Sequence, residues 1–346
     1  MAAFFDLALT ADFYRDGRPL YRDTGLDRLD GQERVRWRAL DEHKAELEAG
    51  QLLGVNGLVV LTPSVSAASL ERADDLLALV RFGVGYDSVD VDACSRADVL
   101  ACITAGAVDR PVAEATVGWM LALTHHIRTK DRLVREGGWD ERSAYMGAEL
   151  RQRTFGTVGL GGIARETLRL LSVFGMEKPL AYDPFVDAAA AADLGVELVE
   201  LEDLLARADF VSLHCPLTED TRSLLDRRRL GLMKEGAYLI NTARGGIVDE
   251  EALYDLLKTG RLAGAALDCF AEEPVVEPPP LAALDNVLLA PHAIAWTDEL
   301  FRDIGRTACD ALVDLAHGRR PAKGVLNPGL FDKPSFRAKW ERLRLD

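Results

Sequence analysis

Three residues in the second half of the chain have the right chemistry for moving a proton and steadying a charge. Arg244 lies in "LINTARGGIVDEEAL", Glu273 in "AALDCFAEEPVVEPPP" and His292 in "LLAPHAIAWTDE", and each follows its own apolar run. Imidazole is the side chain that changes charge near neutral pH. A carboxylate beside it fixes the ring and favours its charged form, which makes an acid/base couple. A guanidinium is always charged, and its planar fork suits a carboxylate with an adjacent carbonyl. Singly, each residue has a plainer reading: an arginine tying down a glycine turn, a solvated loop glutamate, a histidine capping a strand after Pro291. Their recurrence after three separate strands favours the chemical reading, because parallel strands bring their carboxyl ends to one edge.

A second constellation lies upstream. "TFGTVGLGGIARETLRL" runs an apolar strand into Gly159, Gly161, Gly162, Ile163 and Ala164, then into a helical pattern with Leu168 and Leu171. The spacing is G-x-G-x-x-A, a variant of the dinucleotide fingerprint. Gly159 permits the tight turn, Gly161 lets backbone approach a pyrophosphate, and Ala164 lets helix and strand pack closely. The helix N-terminus offers amide donors and a positive dipole end to the phosphates. The next strand, "LAYDPF", ends in Asp183. A carboxylate there accepts from ribose hydroxyls and repels a 2′-phosphate, so the coenzyme read here is NAD rather than NADP.

The elements that must position these groups alternate strand and helix. "FDLALT", "GLVVLTP", "LLALVRFGVG" and "VLACITAG" read as strands of a first unit, with amphipathic segments between them. "TFGTVGL", "PLAYD", "ADFVSLHC", "AYLINTA", "LAGAALD" and "NVLLA" read as strands of a second. Alternation of this kind predicts an α/β fold with two doubly wound parallel sheets. After residue 297 a helical stretch to about 317 and a Pro/Gly-containing tail supply too few strands for a third domain. The tail therefore returns to the first unit and makes it discontinuous. The expected limits are 1–109 with 297–346 for a flavodoxin-like substrate domain, and 110–296 for an inserted Rossmann coenzyme domain. "VAEATVGWMLALTHHI", 112–127, reads as one long helix apolar on too many sides for a simple surface position; it either bridges two domains or forms a subunit interface, and a homodimer through it is the favoured expectation.

Composition sets the outer limits. The 346 residues suit two domains, and 48% hydrophobic with 28% charged is ordinary for a protein with a real core. A formal net charge of -15 argues against nucleic acid and against an anionic membrane surface as partners. Five cysteines, without C-x-x-C and mostly inside apolar runs, read as free thiols of a reducing compartment. No metal site is expected from this spacing. No apolar run approaches transmembrane length and the N-terminus lacks a basic leader region, so a cytoplasmic location is expected.

Several of these motifs together resemble the D-isomer-specific 2-hydroxyacid dehydrogenases. The resemblance runs from "RFGVGYDSVD" (81–90) through "VAEATVGWMLAL", "TVGLGGIA", "AYDP", "SLHCPLTEDTRSLL", "LINTARGGIVDEEAL" and "LDCFAEEP" to "APHAIAWTDE". It implies that Arg244, Glu273 and His292 are the catalytic three and that Asp268 holds the nicotinamide amide. It implies that Thr116, His214, Cys215, Pro216, Thr221, Thr242 and Ala243 line the coenzyme, and that backbone at Gly83, Val84 and Gly85 binds the carboxylate of a small 2-hydroxy or 2-keto acid. A domain layout of that kind implies hinge motion near 107–111 and 293–298. Two departures from the family pattern stand out: Ser88, where asparagine is commoner, and Trp296, where a small residue is commoner. On a helical turn Trp296 would share a face with His292, either narrowing the substrate pocket or packing under the coenzyme. A competing reading on the same fold is an NAD(H)-sensing, corepressor-like regulator, although no disordered tail or basic patch accompanies it. A relative oxidising formate or phosphite is a third, but no lysine lies between 45 and 129 to grip such a substrate and Arg81 precedes the first glycine loop.

Overall fold

The computed structural model describes residues 4–345. Two compact units emerge: one runs to Val108 and resumes from Trp296, the other is Asp109–Ala295.

The discontinuous unit is built on strands β1 (Phe5–Leu9), β4 (Val35–Ala39), β5 (Gly57–Val60), β6 (Ala78–Arg81) and β7 (Leu100–Ile103). A small antiparallel hairpin, β2 (Tyr14–Arg15) and β3 (Arg18–Pro19), stands apart from them. The sheet order is β4-β1-β5-β6-β7 with every pair parallel. Discounting the hairpin, this is the 2-1-3-4-5 flavodoxin order. Sequence patterning finds four of the five strands and misses β4, whose "VRWRA" is exposed along its middle at the sheet edge. Charged side chains blunt such an edge against further pairing and at the same time hide it from a hydrophobic pattern. The amphipathic segments between β1 and β6 contain short 3-10 turns, and the first α-helix of this unit is Val91–Arg96. The returning helix, Asp298–Ala316, buries Leu300, Phe301, Ile304, Ala308, Leu312 and Leu315, the stripe a 3.6-residue period puts on one face. Thr297 caps it by accepting from the Leu300 amide at 3.0 Å.

The continuous unit holds β8 (Phe155–Val158), β9 (Leu180–Tyr182), β10 (Glu197–Leu198), β11 (Phe210–Leu213), β12 (Tyr238–Asn241), β13 (Gly264–Leu267) and β14 (Val287–Leu289). Their order, β10-β9-β8-β11-β12-β13-β14, is the Rossmann 3-2-1-4-5-6 order with one further strand. All pairs are parallel. Four-residue strands such as "FVSL" and "GAAL" are buried at every position, as sheets covered on both faces require. The two-residue edge strand β10 escapes a reading of the sequence.

The long apolar helix is Asp109–Thr124, with Pro111 in its first turn. It ends earlier than its composition suggests: His126 takes a left-handed backbone (φ 53°), and a second helix, Ile127–Glu136, follows. Ala113, Thr116, Val117, Trp119, Met120 and Leu123 are buried within the unit, so the helix spends its apolar surface on its own sheet. Exposed apolar side chains follow it at Ile127, Val134, Trp139 and Met146, and Arg142 stands over the Trp139 ring. Within 112–127 the exposed large apolar side chain is Ile127, at the end of the stretch.

Candidate active site

Strands β12, β13 and β14 are adjacent and in register, with Asn241 beside Leu267 and Leu267 beside Leu289. Arg244, Glu273 and His292 follow these three ends, so the turns that hold them start from one edge of the sheet.

The His292 Nδ1 lies 2.8 Å from Glu273 Oε2, with both side chains partly open to solvent. The other Glu273 oxygen accepts the Phe270 amide at 2.9 Å, which holds the carboxylate toward the ring. Burial works to raise the Glu273 pKa. The His292 and Phe270 hydrogen bonds and the charges of His292 and Arg244 outweigh it and hold the group below the ordinary carboxylate range. Glu273 is therefore ionised at neutral pH.

The backbone at His292 is left-handed (φ 52°), a conformation that costs a non-glycine residue energy and persists only where surroundings enforce it. Asp268 does the enforcing. Its carbonyl accepts the His292 amide at 2.8 Å, and its Oδ1 accepts Ala293 at 2.8 Å and Ile294 at 3.1 Å. Burial pushes the Asp268 pKa up against the pull of those two amides and the His292 charge.

Arg244 is set by its own turn. Asn241, fully buried at the end of β12, donates from Nδ2 to the Arg244 carbonyl at 2.7 Å and accepts the Ala243 amide at 3.0 Å. The Arg244 guanidinium donates to the Ala243 carbonyl at 2.7 Å. Gly245 follows because a Cβ there would run into the backbone of Phe270, so the arginine turn packs directly on the loop that carries Glu273. Glu250 braces that loop from the other side by accepting the Ala271 amide at 2.7 Å, and burial, then the charge of Glu273, raise its pKa. Neither Asn241 nor Glu250 is marked as a site residue by its sequence context alone. A polar residue closing an otherwise apolar strand was the available signal for Asn241.

The glycine loop sits at the ends of β8, β9 and β11. Gly159 has φ 94°, and a Cβ on it would meet the His214 carbonyl oxygen at 2.8 Å. Gly161 caps the helix Gly162–Leu171 and faces open space, and Ala164 is fully buried beneath it. Ile163 lies in the first turn, its carbonyl accepting the Thr167 hydroxyl. Asp183 accepts the Leu160 amide at 2.8 Å and the Phe185 amide at 2.9 Å, which ties the acid to the loop. The His214 ring pairs with the Ser212 hydroxyl at 2.9 Å, and burial lowers its pKa to about 4, leaving it neutral. Burial pushes the adjacent Cys215 thiol up to about 11. Thr221 donates its hydroxyl to the Pro216 carbonyl at 2.6 Å and so closes that turn. Thr242 Oγ1 is buried without a hydrogen-bond partner, whereas the buried Thr116 hydroxyl is already committed to the Val112 carbonyl at 2.9 Å. Asp109, not anticipated from the sequence, places its carboxylate where a Cβ on Gly162 would point.

In the discontinuous unit, Gly83, Val84 and Gly85 follow the end of β6. Gly83 has φ 136° and accepts the Thr104 amide at 3.0 Å through its carbonyl. Trp296 stands on no helical turn with His292, because helix begins only at Asp298. The intervening Ile294–Ala295 turn breaks the helical spacing that such a shared face needs. Its ring instead packs edge-on to Tyr21 and Phe301, at 5.8 and 5.1 Å between centroids.

A family model described as D-isomer specific 2-hydroxyacid dehydrogenase, NAD binding domain, matches residues 117–293. A glyoxylate reductase of Thermofilum pendens is 38% identical over 288 residues, which are 82% of this chain and 84% of that protein. The chain belongs to the D-isomer-specific 2-hydroxyacid dehydrogenase family. A D-3-phosphoglycerate dehydrogenase of Archaeoglobus fulgidus is 38% identical over 272 residues, covering 79% of this chain but only 51% of that protein. The chain thus spans about half the length of the phosphoglycerate dehydrogenases it matches. Among solved structures, a D-lactate dehydrogenase of Aquifex aeolicus complexed with NAD and lactic acid has a TM-score of 0.75 at 25% identity, covering 89% of this chain and 94% of that one.

The NAD-binding domain fits its coenzyme. The tight turn at Gly159, the open approach beside Gly161 and the fixed carboxylate of Asp183 fit a dinucleotide with a free 2′-hydroxyl, and the buried Thr242 hydroxyl is left without a partner.

Proposed function

We propose that this chain is an NAD-dependent oxidoreductase that interconverts a D-2-hydroxy acid and its 2-keto acid. The observation that carries the reading is the 2.8 Å contact between His292 and an ionised Glu273, with the Arg244 charge acting on the same carboxylate. Bound NADH supplies hydride chemistry at a carbonyl carbon. In reduction, His292 donates a proton to the oxygen that gains charge at C2; in oxidation it takes the hydroxyl proton back. Glu273 stabilises the imidazolium and fixes the ring by its hydrogen bond to Nδ1. Arg244 pairs with the substrate carboxylate and polarises the carbonyl. Asp268 holds the His292 turn in its left-handed form, so the ring is set before substrate arrives.

The test is a panel of 2-keto acids (glyoxylate, hydroxypyruvate, pyruvate and longer sugar-derived acids), each assayed with NADH and NADPH by absorbance. The expected result is NADH oxidation with at least one acid and a loss of about 10²–10⁴-fold in turnover for His292→Ala, with NADH binding retained. NADH binding without oxidation by any acid would replace this reading with that of a dinucleotide-sensing regulator. We also infer a homodimer, formed through the surface that bears Ile127, Val134, Trp139 and Met146. Five free cysteines, four of them buried, support a reducing, cytoplasmic location.

A further inference from the structure

Cys269 directly follows Asp268 at the end of β13. It is fully buried, and its thiol donates to the Ala243 carbonyl at 3.3 Å, which fixes it against the arginine turn. Among the described residues, the donor atoms of Cys269, Glu273 and His292 all lie within 4.8 Å of one another. We propose that these three side chains form a binding site for a thiophilic divalent cation such as Zn²⁺, and that the bound ion switches off the acid/base pair.

The donor set decides the class of ion. One sulfur, one imidazole nitrogen and one carboxylate oxygen suit a borderline-soft ion in tetrahedral geometry, with water in the fourth position. Mg²⁺ needs an octahedral oxygen set that this cluster does not offer. Ligand bonds of about 2.0–2.3 Å put the donors of a tetrahedral ion roughly 3.3–3.8 Å apart, so His292 and Glu273 must close on Cys269 by up to about 1 Å and give up their own 2.8 Å contact. Cys269 is the fixed corner. His292 and Glu273, partly open to solvent, are the corners that can turn and the path by which the ion enters. No cysteine spacing in the sequence announces this cluster, because it comes from the ends of two neighbouring strands.

Binding releases to water the thiol proton and, from a charged ring, the second imidazole proton; thiolate plus carboxylate then balance the two charges of the ion beside a neutral imidazole. The imidazole lone pair and the carboxylate are then both committed, and the pair no longer moves protons. That last consequence rests on the function proposed above; the binding does not.

The experiment titrates Zn²⁺ alone into the full chain against a chromophoric zinc indicator, with Cys269→Val and Cys269→Ala beside the wild type and NADH binding as the check of folding. Changes to the surroundings of metal ligands cost 10–100-fold in affinity, so losing a ligand should weaken Zn²⁺ by at least about tenfold, with Mg²⁺ unable to compete. Co²⁺ in the wild type should give thiolate-to-metal charge-transfer absorption, a readout that needs no variant to fold. Equal Zn²⁺ affinity in the wild type and a variant that binds NADH, absence of Zn²⁺ binding, or a Co²⁺ complex without that absorption would each overturn the site. If the chain reduces no 2-keto acid yet binds Zn²⁺ through Cys269, the functional reading falls and the metal site stands. In a chain that does turn over, Zn²⁺ should abolish turnover and a chelator restore it.

Discussion

Replacing Glu273 by glutamine keeps the shape of the side chain, removes its charge and leaves one acceptor where two stood, so it tests what the carboxylate contributes to the charged state of His292. Two unit charges 2.8 Å apart interact by about 1.5 kcal/mol in a water-like dielectric and by about 6 kcal/mol at an effective dielectric of 20. The His292 and Glu273 side chains are 44% and 34% exposed, so solvent screens the pair and the lower part of that range applies. Hydrogen bonds to charged groups fall at about 1.5–3 kcal/mol, which corresponds to about 10–150-fold in rate if the imidazolium is more fully formed in the transition state than in the ground state.

The assay is NADH oxidation with the best 2-keto acid of the panel, followed from acid to neutral pH, with NADH affinity measured separately by fluorescence. Because the Glu273 pKa is held below the ordinary carboxylate range, the wild-type pair is intact at and above that range and is lost as pH falls through the lowered value. Glu273→Gln should lose turnover at neutral pH, leave NADH affinity unchanged and abolish the acid-side fall that comes from protonating the carboxylate. Combining it with His292→Ala should cost little beyond His292→Ala alone, because the two residues act as a unit. A loss below about threefold, or losses that multiply in the double variant, would refute the coupling.

Two further changes probe the frame around this pair. Asp183→Asn should weaken NADH by about tenfold and narrow the gap to NADPH, since it removes the charge that repels a 2′-phosphate and leaves an acceptor for only one of the Leu160 and Phe185 amides; an unchanged NADH-to-NADPH ratio would exclude that role. Thr297→Ala removes the cap on the Leu300 amide at the start of the returning helix and should destabilise by about 1 kcal/mol, a fall of about 2–4 °C in Tm; identical unfolding curves would show that the cap contributes nothing.

The catalytic candidates and the glycine loop are legible in the sequence because each obeys a local rule. A strand end is visible as the close of an apolar run, and parallel register then places that end without further information. The same logic fails where the decisive contact is not local. Arg244 is readable, but Asn241, which holds its carbonyl, looks like any polar residue at a strand end until the turn closes on it. Glu250 reads as an acid in a first helical turn, yet its amide partner belongs to the loop before Glu273. β4 is hidden for a different reason: an exposed edge strand has no need of the alternation that marks a half-buried one.

Trp296 shows how a sound local rule misleads. The spacing of four residues from His292 means a shared face only if the backbone between them is helical, and His292 itself rules that out by standing at φ 52°. The tryptophan ring packs edge-on to Tyr21 and Phe301. Asp268 holds the backbone there with both its carbonyl and its carboxylate, so the turn that carries His292 depends on a residue whose own sequence context says only that a strand has ended.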